Sequence, residues 1–201
     1  MRAKDMTQEE RLDYLIHYLC EDSVQYRGLR VEKAERRATL RSLMNIRMPG
    51  HVSAEFLEIQ DAFLQKEAWE KGIVDVEHIP TIREAYGITG QNSTRISLWQ
   101  GDITRLSVDA IVNAANSRML GCFVPCHGCI DNAIHSAAGI ELREECSRLM
   151  ERKGHEEATG EAEITGAYNL PCKYVLHTVG PIVYENLTKR HCRQLASCYK
   201  S

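Results

Sequence analysis

The sequence predicts an α/β layered domain preceded by a helical segment, and three observations predict it. From about position 93 to Ser201, short apolar runs of strand length alternate with amphipathic runs of helix length. That alternation is the signature of strand–helix–strand units with a largely parallel sheet. Before position 93 the apolar residues recur instead at i, i+3, i+4 and i+7, the period of helices that bury one face. Chemistry divides in the same way, since seven of the eight cysteines follow position 120. A boundary is therefore expected near 92/93, with a helical N-terminal extension over 1–92 and the α/β domain over 93–201.

Residues 1–48 read as helical. Thr7 and Glu10 have capping-box spacing, and Leu12, Leu15, Ile16 and Leu19 follow on one stripe. Gly28 breaks that pattern. A second helix is expected over 31–46, with Leu40, Leu43 and Met44 inward. Arg30, Lys33, Arg36, Arg37, Arg41 and Arg47 lie on its other side. That run could dock an acidic partner, but with Glu32 and Glu35 interleaved it reads as a solvated helix face. Pro49-Gly50 marks a turn, and Ser53 is placed to cap a third helix that carries Phe56, Ile59 and Phe63 and ends near Gly72. Residues 73–92 read as a connector.

In the second half, strands are expected over 95–100, 108–112, 161–167 and 174–178, and helices over 129–138, 141–152 and 189–200. Ligands of such sheets bind beyond the carboxyl ends of strands. Asn113, Asn116 and a cysteine-rich loop all follow the carboxyl end of the strand at 108–112.

The formal charge of -3 argues against wholesale nucleic-acid binding. No run of eighteen apolar residues and no apolar leader is present, so neither a membrane span nor a secretory signal is expected. A disulfide scaffold would be shorter and richer in loops, so a reducing cytoplasmic setting fits the thiols better. Cys146, Cys172, Cys192 and Cys198 read as small buried hydrophobes. His135 and His177, in apolar runs, read as core histidines.

Cys122, Cys126, His127 and Cys129 share eight consecutive positions. Such donors suit Zn(II). The residues alone allow a closed structural site of all four, an open site of Cys122, His127 and Cys129, or a redox pair of Cys126 and Cys129. The closed site is the commoner outcome for clustered loops of this kind. The following helix begins beside Asp131, and its N-terminus offers unpaired N–H groups to an anion. Asp131 could simply complement the helix dipole there.

Taken together, Gly101-Asp102-Ile103-Thr104, Val108-Asp109-Ala110-Ile111-Val112-Asn113-Ala114-Ala115-Asn116, Ile130-Asp131-Asn132-Ala133-Ile134-His135 and Tyr174-Val175-Leu176-His177-Thr178-Val179-Gly180-Pro181 resemble the first half of a macrodomain. The resemblance runs from about 96 to 201 and implies a three-layer α/β/α mixed sheet. Where most macrodomains carry a glycine run, this chain has Gly121-Cys122-Phe123-Val124-Pro125-Cys126-His127-Gly128-Cys129. That segment is similar to the Cys-x4-His-x-Cys motif of zinc-dependent macrodomains of bacteria and fungi, which also carry a helical N-terminal extension. The family's later loop, Ser/Thr-Gly-x-x-Gly-x-Pro, is not reached by Ser201, which implies a fold incomplete at its C-terminal end.

The resemblance implies a hydrolase that removes mono-ADP-ribose from protein side chains, with Zn(II) on Cys122, His127 and Cys129. An Asp- or Glu-linked ester and a lipoyl-carrier protein are the implied targets. Asp131 would be the base near the distal ribose, Asn116 would hold its hydroxyls, and Asn113 and Asn132 would line the same site. Asp102 would accept from the adenine amino group, with Ile103 giving a backbone contact. The rival expectation is a reader that binds ADP-ribose without turnover around a structural zinc.

Overall fold

The structure, a computed structural model, describes residues 3–201, so the first two positions of the expected helical segment lie outside the described residues. Helices α1 (Gln8–Asp22), α2 (Arg36–Ile46) and α3 (Ala54–Lys71) form a bundle at the N-terminal end. The expected capping box opens α1, with the Thr7 side chain accepting from the Glu10 N–H and the Glu10 carboxylate accepting from the Thr7 N–H. Ser53 caps α3 by accepting from the Phe56 N–H. Leu15, Leu19, Leu40, Phe56, Ile59 and Phe63 fill the bundle core.

A connector follows, with β1 (Val74–Asp75) and the short helix α4 (Ile82–Tyr86). Strand β1 pairs in parallel with β2 (Leu106–Ser107), so the pairing crosses the boundary expected near 92/93. The strand expected over 95–100 does not form: Ser97 makes an isolated bridge to Thr81, and Leu98 is 70% exposed. Two apolar side chains on alternate positions are too few to hold a strand that has no face to bury.

The main sheet comprises β3 (Ala110–Ala114), β4 (Ala162–Gly166) and β5 (Tyr174–Thr178), in the order β3-β5-β4. Strands β3 and β5 run parallel, whereas β4 and β5 run antiparallel, so the sheet is mixed. Helices α5 (Ile130–Ala138) and α6 (Ile140–Lys153) supply Ile134, Leu142 and Cys146 to the core shared with Ile111 and Val175. The period of two sends Val112, Ile164 and Leu176 to the opposite, more exposed face. Helix α7 (Lys189–Cys198) closes the described chain. Cys146 and Cys172 are buried as expected, but Cys192 is exposed and Cys198 half-buried, because α7 buries none of its residues fully. Among the described residues no helix is long and apolar enough to cross a membrane.

Beside Ile140 of α6, which enters the bundle core, a polar seam joins the bundle to the α/β part. Asn45 donates to Ser136 Oγ at 2.9 Å, Gln60 Oε1 accepts from the Ile140 N–H at 2.9 Å, and Gln65 donates to Asn169 at 3.0 Å. Gly139 lets the two bodies approach: at φ 99° it turns the chain between α5 and α6, and a Cβ there would lie 2.6 Å from Gln60 Nε2.

Candidate active site

Helix α5 begins at the carboxyl end of β3, and this junction assembles the site. Asn113 lies inside β3, fully buried, and is not a turn residue. Strand alternation turns it toward α5 beside Ile111 rather than outward with Val112. Its Nδ2 donates to Asp131 Oδ1 at 2.8 Å and also lies 3.1 Å from His177 Nδ1. Asn116 donates from Nδ2 to Asp131 Oδ2 at 3.2 Å and to the Gly121 carbonyl at 3.1 Å. Both carboxylate oxygens of Asp131 are thus held by amides. Burial pushes the Asp131 carboxyl up, opposed by those two hydrogen bonds and by the Arg143 charge.

Cys129 is the N-cap of α5, where its Sγ accepts from the Asn132 N–H at 3.4 Å. A thiol thereby takes the place usually held by Ser, Thr or Asp, at the positive end of the helix. Burial raises the Cys129 thiol, and neighbouring Cys122 and Asp131 add to that rise. Cys122 Sγ lies 3.6 Å from His127 Nδ1, and the donor atoms of Cys122, His127 and Cys129 all lie within 4.8 Å of one another. Two thiols and an imidazole at this spacing match the soft N/S set that zinc prefers.

Cys126 is turned the other way. Its Sγ lies 3.3 Å from Ser42 Oγ and 3.4 Å from the Ala38 carbonyl, both on α2, and its N–H donates to Asn45 Oδ1 at 3.0 Å. It does so at φ 51°, a left-handed conformation that costs a non-glycine residue about 1–2 kcal/mol.

The basic run leading into α2 is only partly the solvated surface expected: Arg30 and Lys33 are exposed, but further along, on the helix, the arginines find partners. Arg37 pairs with Glu67 at 2.6 Å and Arg47 with Asp22 at 3.1 Å, while Arg41 reaches Asn132 Oδ1 at 2.6 Å. Arg143 of α6, 5% exposed, donates to the carbonyls of Leu120, Met44 and Arg47. Its guanidinium lies 4.3 Å from the Phe123 ring centroid. Burial lowers it to about 10. In the sequence Arg41 reads only as one of a solvated basic run, and Arg143 is not singled out by pattern. No local signal marks either one as inward, since the residue next to a core position on a helix points about 100° away from it.

Asp102 and Ile103 lie elsewhere. Asp102 Oδ1 accepts from the N–H and the hydroxyl of Thr104, capping the tight turn Ile103–Arg105. Asp102 also lines a cavity of about 110 Å³ with Arg37, Arg41, Ala133 and Ser136, which Asn113, Asn116 and Asp131 do not line.

Behind Asp131 lies a second cluster, His135, Cys146 and His177, fully enclosed. His177 Nε2 meets Thr165 Oγ1 at 2.9 Å and Cys146 Sγ at 3.9 Å. His177 is satisfied, as a core histidine should be. His135 is buried but finds no partner for either ring nitrogen, its Nε2 standing 3.6 Å from Asp131 Oδ1.

Comparison with known proteins agrees with this architecture. The Macro domain family model matches residues 112–201. A protein-ADP-ribose hydrolase of Treponema medium is 50% identical over 198 residues, covering 98% of this chain and 74% of the relative. A protein-ADP-ribose hydrolase of Staphylococcus aureus (strain MSSA476) is 44% identical over 80% of this chain, which spans only 57% of that relative. The crystal structure of a Trypanosoma brucei macrodomain in complex with ADP-ribose superposes with a TM-score of 0.53 at 28% identity, covering 85% of this chain and 66% of that one. The chain therefore belongs to the macrodomain family, among relatives named protein-ADP-ribose hydrolase.

Proposed function

We propose that this chain releases mono-ADP-ribose from modified protein side chains and that zinc on Cys122, His127 and Cys129 is required. The observation that carries the reading is the convergence of those three donors within 4.8 Å, while Cys126 faces α2 instead. Three protein ligands leave one corner of a tetrahedron for water or substrate. When bound, zinc supplies Lewis-acid polarisation and lowers the pKa of a water.

The chain's own residues do the rest. Asp131, fixed by Asn113 and Asn116, accepts a proton from the attacking water. Asn116 has both amide hydrogens engaged, and its Oδ1 accepts from the Arg118 N–H at 3.0 Å. Its remaining lone pair therefore accepts from a hydroxyl of the distal ribose and sets that sugar's orientation. Asn132, expected among the ligand contacts, is fully buried with its amide committed to Arg41 and the Val124 carbonyl, so it supports that mouth from behind. Asp102 and Ile103 receive the adenine end. ADP-ribose and the bare side chain are the products. We place the activity in a reducing cytoplasm, where the thiols stay free, and an Asp- or Glu-linked ester on a lipoyl-carrier protein is the target to test first.

The test measures ADP-ribose released from a modified protein by the zinc-loaded chain and by the same sample after chelation. Loss of release on stripping, with recovery on adding zinc, is expected. Unchanged turnover after verified stripping would sink the catalytic metal. Tight ADP-ribose binding with no release under any condition would select the reader instead.

A further inference from the structure

We infer that helix α2 of the N-terminal bundle is the outer wall of the metal site, with Arg41 as a positioning residue and Cys126 deliberately withheld from the ligand set. The inference rests on the zinc reading above. It assigns a task to the helical extension, which contributes no ligand of its own.

Two sets of contacts carry it. Arg41 donates to Asn132 Oδ1 from Nε at 3.1 Å and from Nη2 at 2.6 Å, and Nη2 also donates to the His127 carbonyl at 3.1 Å. Asn132 Nδ2 in turn donates to the Val124 carbonyl at 3.0 Å and lies 3.4 Å from the Cys122 carbonyl. One guanidinium therefore governs the backbone at two ligand residues, His127 directly and Cys122 through Asn132. Asn132 is fully buried, so its amide cannot turn to water if Arg41 is removed.

The remaining contacts concern Cys126. It stands three residues before Cys129 and one before His127, close enough in sequence to complete a four-ligand site. Asn45 takes its N–H, and the Ala38 carbonyl and Ser42 hydroxyl take its thiol. Each of these partners lies on α2, as does Arg41. The helix thus steadies two of the three ligand residues and diverts Cys126, which is what separates an open site from a closed one. Outer partners of metal ligands are worth about 10–100-fold in metal affinity when removed.

Cobalt-substituted and zinc-loaded full chain provide the test. Zinc affinity is read by competition with a chromophoric chelator, and the number of coordinating thiolates from the intensity of the cobalt–thiolate charge-transfer band. The unsubstituted chain should show two thiolates. Arg41→Ala should weaken zinc about 10–100-fold at an unchanged thiolate count. Arg41→Lys, which keeps the charge but cannot fork, should fall between the two. If Arg41→Ala does not fold, the Lys variant alone decides.

The double variant Ser42→Ala/Asn45→Ala should gain charge-transfer intensity toward three thiolates, and adding Cys126→Ser should reverse that gain. Two thiolates in every variant, with zinc affinity unmoved by Arg41→Lys or Arg41→Ala, would overturn the inference and leave the metal site standing. Three thiolates in the unsubstituted chain would overturn it as well. Failure of the unsubstituted chain to bind zinc would overturn the metal reading first, and the two failures are thereby told apart.

Discussion

The molecule carries two clusters of cysteine and histidine, and burial sets them apart. The outer one, Cys122, His127 and Cys129, sits on a loop and a helix N-cap, with His127 exposed. The inner one, His135, Cys146 and His177, is buried under the sheet. In the inner cluster His177 already spends both ring nitrogens, on Asn113 and Thr165. The nearby Arg143 guanidinium further disfavours a cation there. Proximity of donors is therefore insufficient: His135 keeps both ring nitrogens unpaired, but His177 has none to spare and the burial of all three leaves an ion no route. The inner cluster serves the outer site indirectly. His177 Nδ1 accepts from the Asn113 amide, which orients that amide so that its nitrogen, and not its oxygen, meets Asp131.

The largest effect that could break this contrast is on the ligands themselves. Cys122→Ser should lower zinc affinity by more than about 100-fold, beyond the cost of losing an outer partner. It should abolish chelator-sensitive release, while the thermal melt of the metal-free chain stays near that of the unsubstituted protein. Metal content by mass spectrometry of the intact complex, beside a circular dichroism melt, checks both. Retained zinc in Cys122→Ser would mean that Cys126 or the inner cluster substitutes.

How much of this was legible beforehand depends on the residue. The strand into Asn113, the helix from Cys129 and the two later strands follow from local periodicity, which the sheet and α5 obey. The proximity of Cys122, His127 and Cys129 was legible because all three fall within eight positions. Arg41 was not, because its partner Asn132 lies 91 residues away and nothing local separates a solvated arginine from one aimed inward. Asn113 was placed just past the strand's end rather than within it, because the strand runs two residues further than its apolar run. The 95–100 strand failed for the opposite reason: alternation was present but no partner face was.

A middle-sized effect sharpens the inner half of the contrast. Burial lowers His177 to about 4 and His135 well below its ordinary value. The groups facing His177 are Asn113, Thr165, Cys146 and His135, so no carboxylate stabilises its charge directly. The unfolded chain then binds more protons than the folded one between about pH 6.5 and pH 4. Stability is full above that window and is lost as pH falls through it, by up to about 3 kcal/mol for His177 alone. His177→Gln should flatten that slope in urea melts of the metal-free chain. An unchanged slope would mean that the ring is wetter than its burial implies.

The smallest effect tests whether the inner thiol is only packing. Cys146 is fully buried, and burial pushes its thiol up to about 12. Zinc takes thiolate, so at neutral pH this sulfur is the poorer donor as well as the less accessible one. Its neighbours Ile111, Leu142 and Val175 treat it as a small hydrophobe. Cys146→Ala should therefore leave zinc stoichiometry and ADP-ribose release where they were and cost about 1 kcal/mol, the price of one missing heavy atom in a packed core. Loss of a zinc equivalent in this variant would make the two clusters equals and end the contrast. A cost well above that size, with zinc unmoved, would assign the 3.9 Å contact between Cys146 and His177 a larger share in holding the Asn113 amide than packing alone gives it.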